Sequence, residues 1–172
     1  KVLRLNADGS IPADNPTAGS AIYSYGHRNP QGLDWHPLTE ELIVSEHGES
    51  AFDEVNLIKP GHNYGWPLEK QCASSDPDHT DPILCSGVET YAPSGLAFFG
   101  SEPWRLRSSF FLAGLRGNLL ERVEVINGKV AARERVIDGT FGRLRGVTVH
   151  QGALYVSTSN RDGRGKPTEA DD

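Results

Sequence analysis

The chain has little of what builds a helical or membrane-spanning protein. No apolar run reaches the ~20 residues that a membrane helix needs. Long apolar stripes of period 3.6 are missing, while Gly (19) and Pro (11) are frequent among the 172 residues, which argues against helical bundles. An excess of positive charge is missing too. The formal net charge is −6, so the broad basic surface of a nucleic-acid binder is excluded. There is no Met, and the chain opens at Lys1 on strand-like residues; it reads as part of a longer product.

Cysteine is scarce as well. Cys72 and Cys85 bracket "CASSDPDHTDPILC", thirteen positions apart. A disulfide would close this polar loop and fit an oxidising compartment; two free thiols are the alternative. A zinc site is the weaker reading, because His79 is the only imidazole between them and no second Cys pair exists. The acids Asp76, Asp78 and Asp81 in the same loop read as a solvated cluster.

What is present is strand signal: "ELIVSEH", "EVNLI", "GLAFF", "SFFLAGL", "LLERVEVING", "GVTVH" and "ALYVSTS". Three stretches resemble one another. They start at Gly32, Gly95 and Gly146, and each runs Gly, strand, turn, second strand, then small or polar residues. Such a period fits four-stranded propeller blades carrying loop insertions. We therefore expect an all-β fold, a partial β-propeller over residues 1–172. Two complete blades lie near residues 32–94 and 95–145, with partial blades at both ends. Asn127-Gly128 is the turn of an outer hairpin. Such a set leaves sheet edges unpaired, so the rest of the propeller, from the same or a partner chain, is an expected partner.

A propeller gathers the loops at one end of its inner strands. Here these loops carry Arg28, Arg116, Arg143 and Arg145, a basic group in an acidic chain that points to an anion. "YGHRNPQGLDW" (Tyr25–Trp35) places His27, Arg28 and Asn29 in a turn punctuated by Pro30 and Gly32. "SEHGESAFDEVNLIKPGHNYGWP" (Ser45–Pro67) is rich in oxygen donors. It is either a calcium loop of non-EF-hand spacing or an acidic surface loop with a packing turn.

The ordered elements "YSYGHRNPQGLDWHP", "SEHG…DEVNLIKPGHNYGWP", "YAPSGLAFF", "GLRGNLLERV" and "GRLRGVTV…ALYVSTSNRDG" resemble the C-terminal part of soluble quinoprotein glucose and aldose sugar dehydrogenases. The resemblance implies a six-bladed parent, of which this chain covers about half. It also implies pyrroloquinoline quinone (PQQ), Ca²⁺, an aldose substrate oxidised at its anomeric carbon to the lactone, a soluble electron acceptor, and a periplasmic or secreted location. By motif match it places Arg28, Asn29, His47, Asp53, Thr90, Arg116, Arg143 and Arg145 at the cofactor. It assigns the carbonyls of Gly48 and Glu49 to a catalytic Ca²⁺, and Glu54 with the Tyr64 carbonyl to a structural one. Glu49 stands where the family commonly has Pro, Arg116 where glucose enzymes have Lys, and Gly146 where an Asp usually follows the Arg pair. The family's general base is a His from an earlier blade, and none of the six His here matches it, so no catalytic base is assigned.

The alternative to an enzyme is a non-catalytic propeller that binds carbohydrate or protein. Arg28, Arg143 and Arg145 would then serve as blade-to-blade ion pairs with Asp53 or Glu46. His27 is expected to bond within its turn. His36, His62, His79 and His150 read as turn or surface residues. Arg105, Arg107, Arg122, Arg133 and Arg135 read as solvated, and Trp35, Trp66 and Trp104 as wedges between blades.

Overall fold

The computed structural model describes residues 1–100, 106 and 108–171; Trp104, Arg105 and Arg107 lie outside them. Twelve strands follow one another: β1 (Val2–Leu3), β2 (Ile22–Ser24), β3 (Pro30–Trp35), β4 (Leu42–Glu46), β5 (Glu54–Ile58), β6 (Leu84–Cys85), β7 (Pro93–Phe98), β8 (Ser109–Gly114), β9 (Leu119–Ile126), β10 (Lys129–Asp138), β11 (Leu144–His150) and β12 (Ala153–Thr158). They form two four-stranded sheets, β3-β4-β5-β6 and β7-β8-β9-β10, and two two-stranded sheets, β1-β2 and β11-β12. All pairings are antiparallel. The fold is all-β, with successive sheets arranged as propeller blades.

Burial follows from this stacking. β4 (LIVSE) and β8 (SFFLAG) are buried along their whole length, because a blade between two others hides both faces, and β-branched and aromatic side chains suit a pleated surface. The even positions Leu96, Phe98, Phe110 and Leu112 pack with Ile43 and Val55 of the preceding blade. Phe99, Phe111, Ala113 and Leu120 pack on the opposite side with Leu144. β10 is almost wholly exposed, as the outermost strand. It is reached through Asn127 and Gly128, whose φ of 52° and 69° are those of a type I′ hairpin turn.

The glycines that open each repeat have a steric cause. A Cβ at Gly32 would strike the backbone of Ser94 and Leu96 on β7, and one at Gly95 would strike Arg145, Gly146 and Val147 on β11. Inner strands of neighbouring blades converge here, leaving room for a hydrogen only. Hydroxyls cross the same seams. Ser45 Oγ donates to Ser94 O (3.0 Å), and Ser94 Oγ donates to Leu144 O (3.0 Å). At the far end of β3, Phe98 N donates to Asp34 Oδ2 (2.8 Å).

Cys72 and Cys85 are joined in a disulfide that ties the long excursion after β5 to edge strand β6. Of the arginines expected to be solvated, the three described ones also have acidic partners. Arg133 bonds Glu121 (2.9 Å), and Arg122 bonds Glu134 (3.0 Å). Arg135 approaches Asp138 and Glu89. On an antiparallel outer hairpin, opposite charges face each other across the ladder. Trp35 is exposed at 55%, so among the described residues it is no wedge. His36, read as a turn or surface residue, is a buried turn residue whose Nδ1 accepts the amides of Leu38 and Thr39.

Replacing Gly95 by Val should force β7 away from β11. We expect a loss of about 1–3 kcal/mol, the usual cost of overpacking, read as a lower denaturant midpoint. Gly100→Val, where a Cβ would meet only Pro37 Cβ at an ordinary 3.6 Å and the backbone is not left-handed, should cost less.

Candidate functional site

Glu46 ends β4 at the loop-bearing rim and is buried, at 3% exposure. Its Oε1 faces His27 Nδ1 (2.7 Å) and accepts from Asn56 Nδ2 (2.9 Å). Its Oε2 accepts from the amides of Arg28 (2.8 Å) and Asn29 (3.3 Å). This answers what the GHRNP turn holds: its backbone wraps a carboxylate. His27 Nε2 reaches Ser24 Oγ (2.8 Å), and its ring stacks on Tyr64 at 4.4 Å; His27 is structural, but it bonds to β2 and β4 rather than within its turn as expected. The HNYGWP segment backs the turn through Tyr64 N to Tyr25 O (2.9 Å) and Trp66 N to Gly26 O (2.8 Å).

The rim continues from blade to blade. His47 N donates to Asn29 O (3.1 Å), and His47 Nε2 lies 2.7 Å from Pro93 O at the head of the next blade. A carbonyl only accepts, so Nε2 carries the proton and Nδ1, 3.4 Å from Asn29 Nδ2, is the acceptor. Asp53 is buried. Its Oδ1 accepts from Gly48 N (3.1 Å), and its Oδ2 from Tyr91 N (2.7 Å) and Ala92 N (2.9 Å). Three backbone donors occupy this carboxylate, so it fixes the Gly48 loop against the next blade. Thr90 is half-buried directly before Tyr91. Arg116 N donates to Tyr91 O (3.0 Å), while its side chain is exposed.

Arg143 Nη1 donates to Leu115 O (3.3 Å) and its Nη2 to Asp162 Oδ2 (2.9 Å). Arg145 Nε donates to Ser159 Oγ (3.0 Å), and its Nη2 lies 3.7 Å from Asp162. The Arg164 amide and the Arg143 guanidinium hold the Asp162 carboxyl down to about 2. Asp162 thus supplies the local carboxylate that Gly146 cannot. The ion-pair partners expected for these arginines, Asp53 and Glu46, are not the ones used.

The predicted residues divide between places on this rim. Arg28, His47, Gly48, Glu49, Glu54 and Tyr64 line one cavity of about 20 Å³ with Glu46, Trp66 and Lys70. Arg116 and Arg143 line another of about 310 Å³. The four arginines therefore share the rim but no single cavity. Arg28 lies 5.5 Å over the Trp66 ring, opposite Lys70 at 5.3 Å. Trp66, read as a wedge, is a cation platform. Lys70 also binds Glu49 Oε2 (2.8 Å).

All four residues picked as metal donors line the smaller cavity, which has room for about one water-sized species. Two cations were expected from the sequence; the donors meet at one place. Among the described residues no cluster of three His, Cys, Asp or Glu side chains has metal-binding geometry. A cation here would depend on the carbonyls of Gly48, Glu49 and Tyr64 with one or two carboxylates, a hard-oxygen set. Burial pushes the Glu54 carboxyl up to about 7, with Glu46, Asp81 and Asp53 adding to the effect and the Asn56 amide opposing it. A half-buried carboxylate short of positive partners fits such an ion. Gly48 is required by the loop: a Cβ there would overlap the carbonyls of Ala51 and Phe52.

These features define the chain as a stretch of β-propeller whose loop face carries a polar rim with arginines and an oxygen-lined cavity. The glucose/sorbosone dehydrogenase family model matches residues 1–165, and the chain belongs to that family. It is 33% identical to the aldose sugar dehydrogenase YliI of Escherichia coli, over 95% of this chain and 49% of that protein. Over 39% of this chain and 14% of the relative, it is 59% identical to quinoprotein glucose dehydrogenase B of Acinetobacter calcoaceticus. The PQQ-bound aldose sugar dehydrogenase of Streptomyces coelicolor superposes with a TM-score of 0.88 at 39% identity, covering 98% of this chain and 48% of that one. The chain thus spans about half the length of YliI and of the Streptomyces coelicolor enzyme.

The raised Glu54 carboxyl has a definite sign. With its folded value above the ordinary 4.5, the folded state holds the proton longer than the unfolded state. Stability without added cation should therefore fall as pH rises from about 4.5 to about 7, then level off. Glu54→Gln should flatten that segment of the profile, as read by denaturant midpoints.

Proposed function

We propose that the chain is part of a PQQ- and Ca²⁺-dependent dehydrogenase that oxidises an aldose at the anomeric carbon to the lactone and passes electrons to a soluble acceptor. The observation that carries this reading is the continuous rim from Arg28 and Asn29 through His47, Asp53 and Tyr91 to Arg116 and Arg143. It aligns guanidinium groups and an imidazole along one edge of the fold.

Arg28, Arg116, Arg143 and Arg145 present planar forks that match carboxylates. Asn29 and Thr90 add neutral hydrogen-bonding groups. His47, locked as the Nε2–H tautomer by Pro93 O, offers a fixed ring rather than a mobile base. Asp53, beside the cofactor, sets the position of the Gly48 loop through the amides it accepts. Gly48, Glu49, Glu54 and Tyr64 would hold the cation. When bound, the quinone supplies the two-electron acceptor for the hydride and Ca²⁺ the Lewis acid that polarises it. Removal of the anomeric hydroxyl proton falls to a His outside these residues. The Cys72–Cys85 disulfide supports a periplasmic or secreted location.

The test uses the full-length protein that contains this segment, reconstituted with PQQ and Ca²⁺. Aldose-dependent dye reduction is expected, together with none from these 172 residues alone. Protein that binds PQQ yet reduces no dye with any aldose would contradict the dehydrogenase reading and leave a binding module.

A further inference from the structure

The cavity beside Gly48 has two walls drawn from different stretches of chain. Gly48, Glu49 and Glu54 belong to the stretch that leads into β5; Tyr64, Glu69 and Lys70 belong to the excursion between β5 and β6. The first wall is tied to β6 and the residues after it. Glu54 is the cross-strand partner of Cys85. Ser86 N donates to Asp53 O (2.9 Å), Asp53 N to Ser86 Oγ (2.9 Å) and Phe52 N to Gly87 O (2.7 Å).

The second wall is held by backbone only as far as Glu69. Tyr64 N and Trp66 N bond to the GHRNP turn, and the amides of Leu68 and Glu69 donate to Gly65 O (2.8 and 2.9 Å). Beyond them, the backbone of residues 70–73 makes no hydrogen bond among the described residues. Lys70 does reach Glu49, but both side chains are about half-exposed, and an exposed ion pair is weak and screened by salt. The strong tie is covalent. Cys72 follows Lys70 by two positions and is bonded to Cys85. The disulfide therefore joins the end of the second wall to the strand that holds the first.

Such a link acts on binding through preorganisation. A cation taken up by carbonyls and one or two carboxylates needs its donors gathered around it. With the walls already linked, binding does not carry the whole cost of ordering them. Both cysteines are half-buried, so a small thiol reductant has access to the bond.

We propose that the Cys72–Cys85 disulfide positions the two walls of the cation cavity, so that the oxidised chain binds a divalent cation and the dithiol chain binds it at least tenfold more weakly. The proposal rests on the cation reading above and extends it, because cation occupancy then depends on the thiol–disulfide state of the chain. By reciprocity, the bound cation stabilises the disulfide against reduction.

The experiment is calorimetric titration of the full-length, quinone-free protein with Ca²⁺, oxidised and after equilibration with excess dithiothreitol. The reductant passes two electrons and two protons to the disulfide, leaving thiols at Cys72 and Cys85 and a cyclic disulfide in solution. Each form is titrated at a temperature where circular dichroism shows its sheets intact. The reduced parent and the C72S/C85S variant should both bind Ca²⁺ at least tenfold more weakly than the oxidised parent, and dithiothreitol should change the variant no further. The second readout is the midpoint potential of the Cys72–Cys85 couple, followed by thiol alkylation and mass spectrometry. Saturating Ca²⁺ should make it more negative by about 30 mV or more, the equivalent of tenfold for a two-electron couple. A disulfide that only stabilises the excursion would lower the melting midpoint when lost and leave both readouts unmoved, which would overturn the proposal. Equal Ca²⁺ affinity in the two states overturns this proposal alone; oxidised protein that binds no Ca²⁺ overturns the cation reading and this proposal together.

Discussion

One buried carboxylate organises the candidate site. Glu46 sits at the last residue of a strand whose other side chains are buried, and its two oxygens meet four donor groups from two segments. A buried charge is tolerated only when its lone pairs are filled. The GHRNP turn and the Asn56 side chain fill them. The demand runs both ways: the carboxylate needs the amides of Arg28 and Asn29, and those amides need an acceptor once the turn is folded against Tyr64. The exposed Arg28 guanidinium and the His47 loop take their positions from this buried contact.

The same logic carries the site across blades. Backbone carbonyls and amides at the head of each inner strand are taken up by side chains or amides from the neighbouring blade: Pro93 O by His47, Tyr91 and Ala92 N by Asp53, Leu115 O by Arg143. Gly32 and Gly95 let the inner strands approach closely enough for this to happen. Rim geometry and core packing are therefore not separable. A side chain added at either glycine would move the loops that hold the polar groups.

The sequence shows the blades because their signals are local. A glycine, an apolar pair of strands and an Asn-Gly turn recur in order, and each has a steric or conformational cause visible in the structure. The GHRNP and NYGWP elements are legible for the same reason, as turns whose composition restricts the backbone. Glu46 is a different case. Its importance comes from burial and from partners 10, 17, 18 and 19 positions away. The one clue in the sequence is a charged residue closing the otherwise apolar and small LIVSE strand. Asp162 likewise takes over a carboxylate role from a position after β12, which local matching around Gly146 does not reveal. The separation of Arg28 from Arg116 and Arg143 into different hollows, and the meeting of all four metal-donor candidates in one, follow from three-dimensional partners and not from spacing.

The most direct measurement is amide hydrogen exchange in the full-length protein, comparing the parent with Glu46→Gln. The substituted amide has one oxygen and one donor group, so whichever way it turns, a donor faces either the His27 and Asn56 side or the Arg28 and Asn29 amides. If Glu46 anchors the turn, exchange at Arg28 and Asn29 should quicken by at least tenfold while amides in β8 and β9 keep their protection. Unchanged exchange at Arg28 and Asn29 in a folded Glu46→Gln protein would contradict the account.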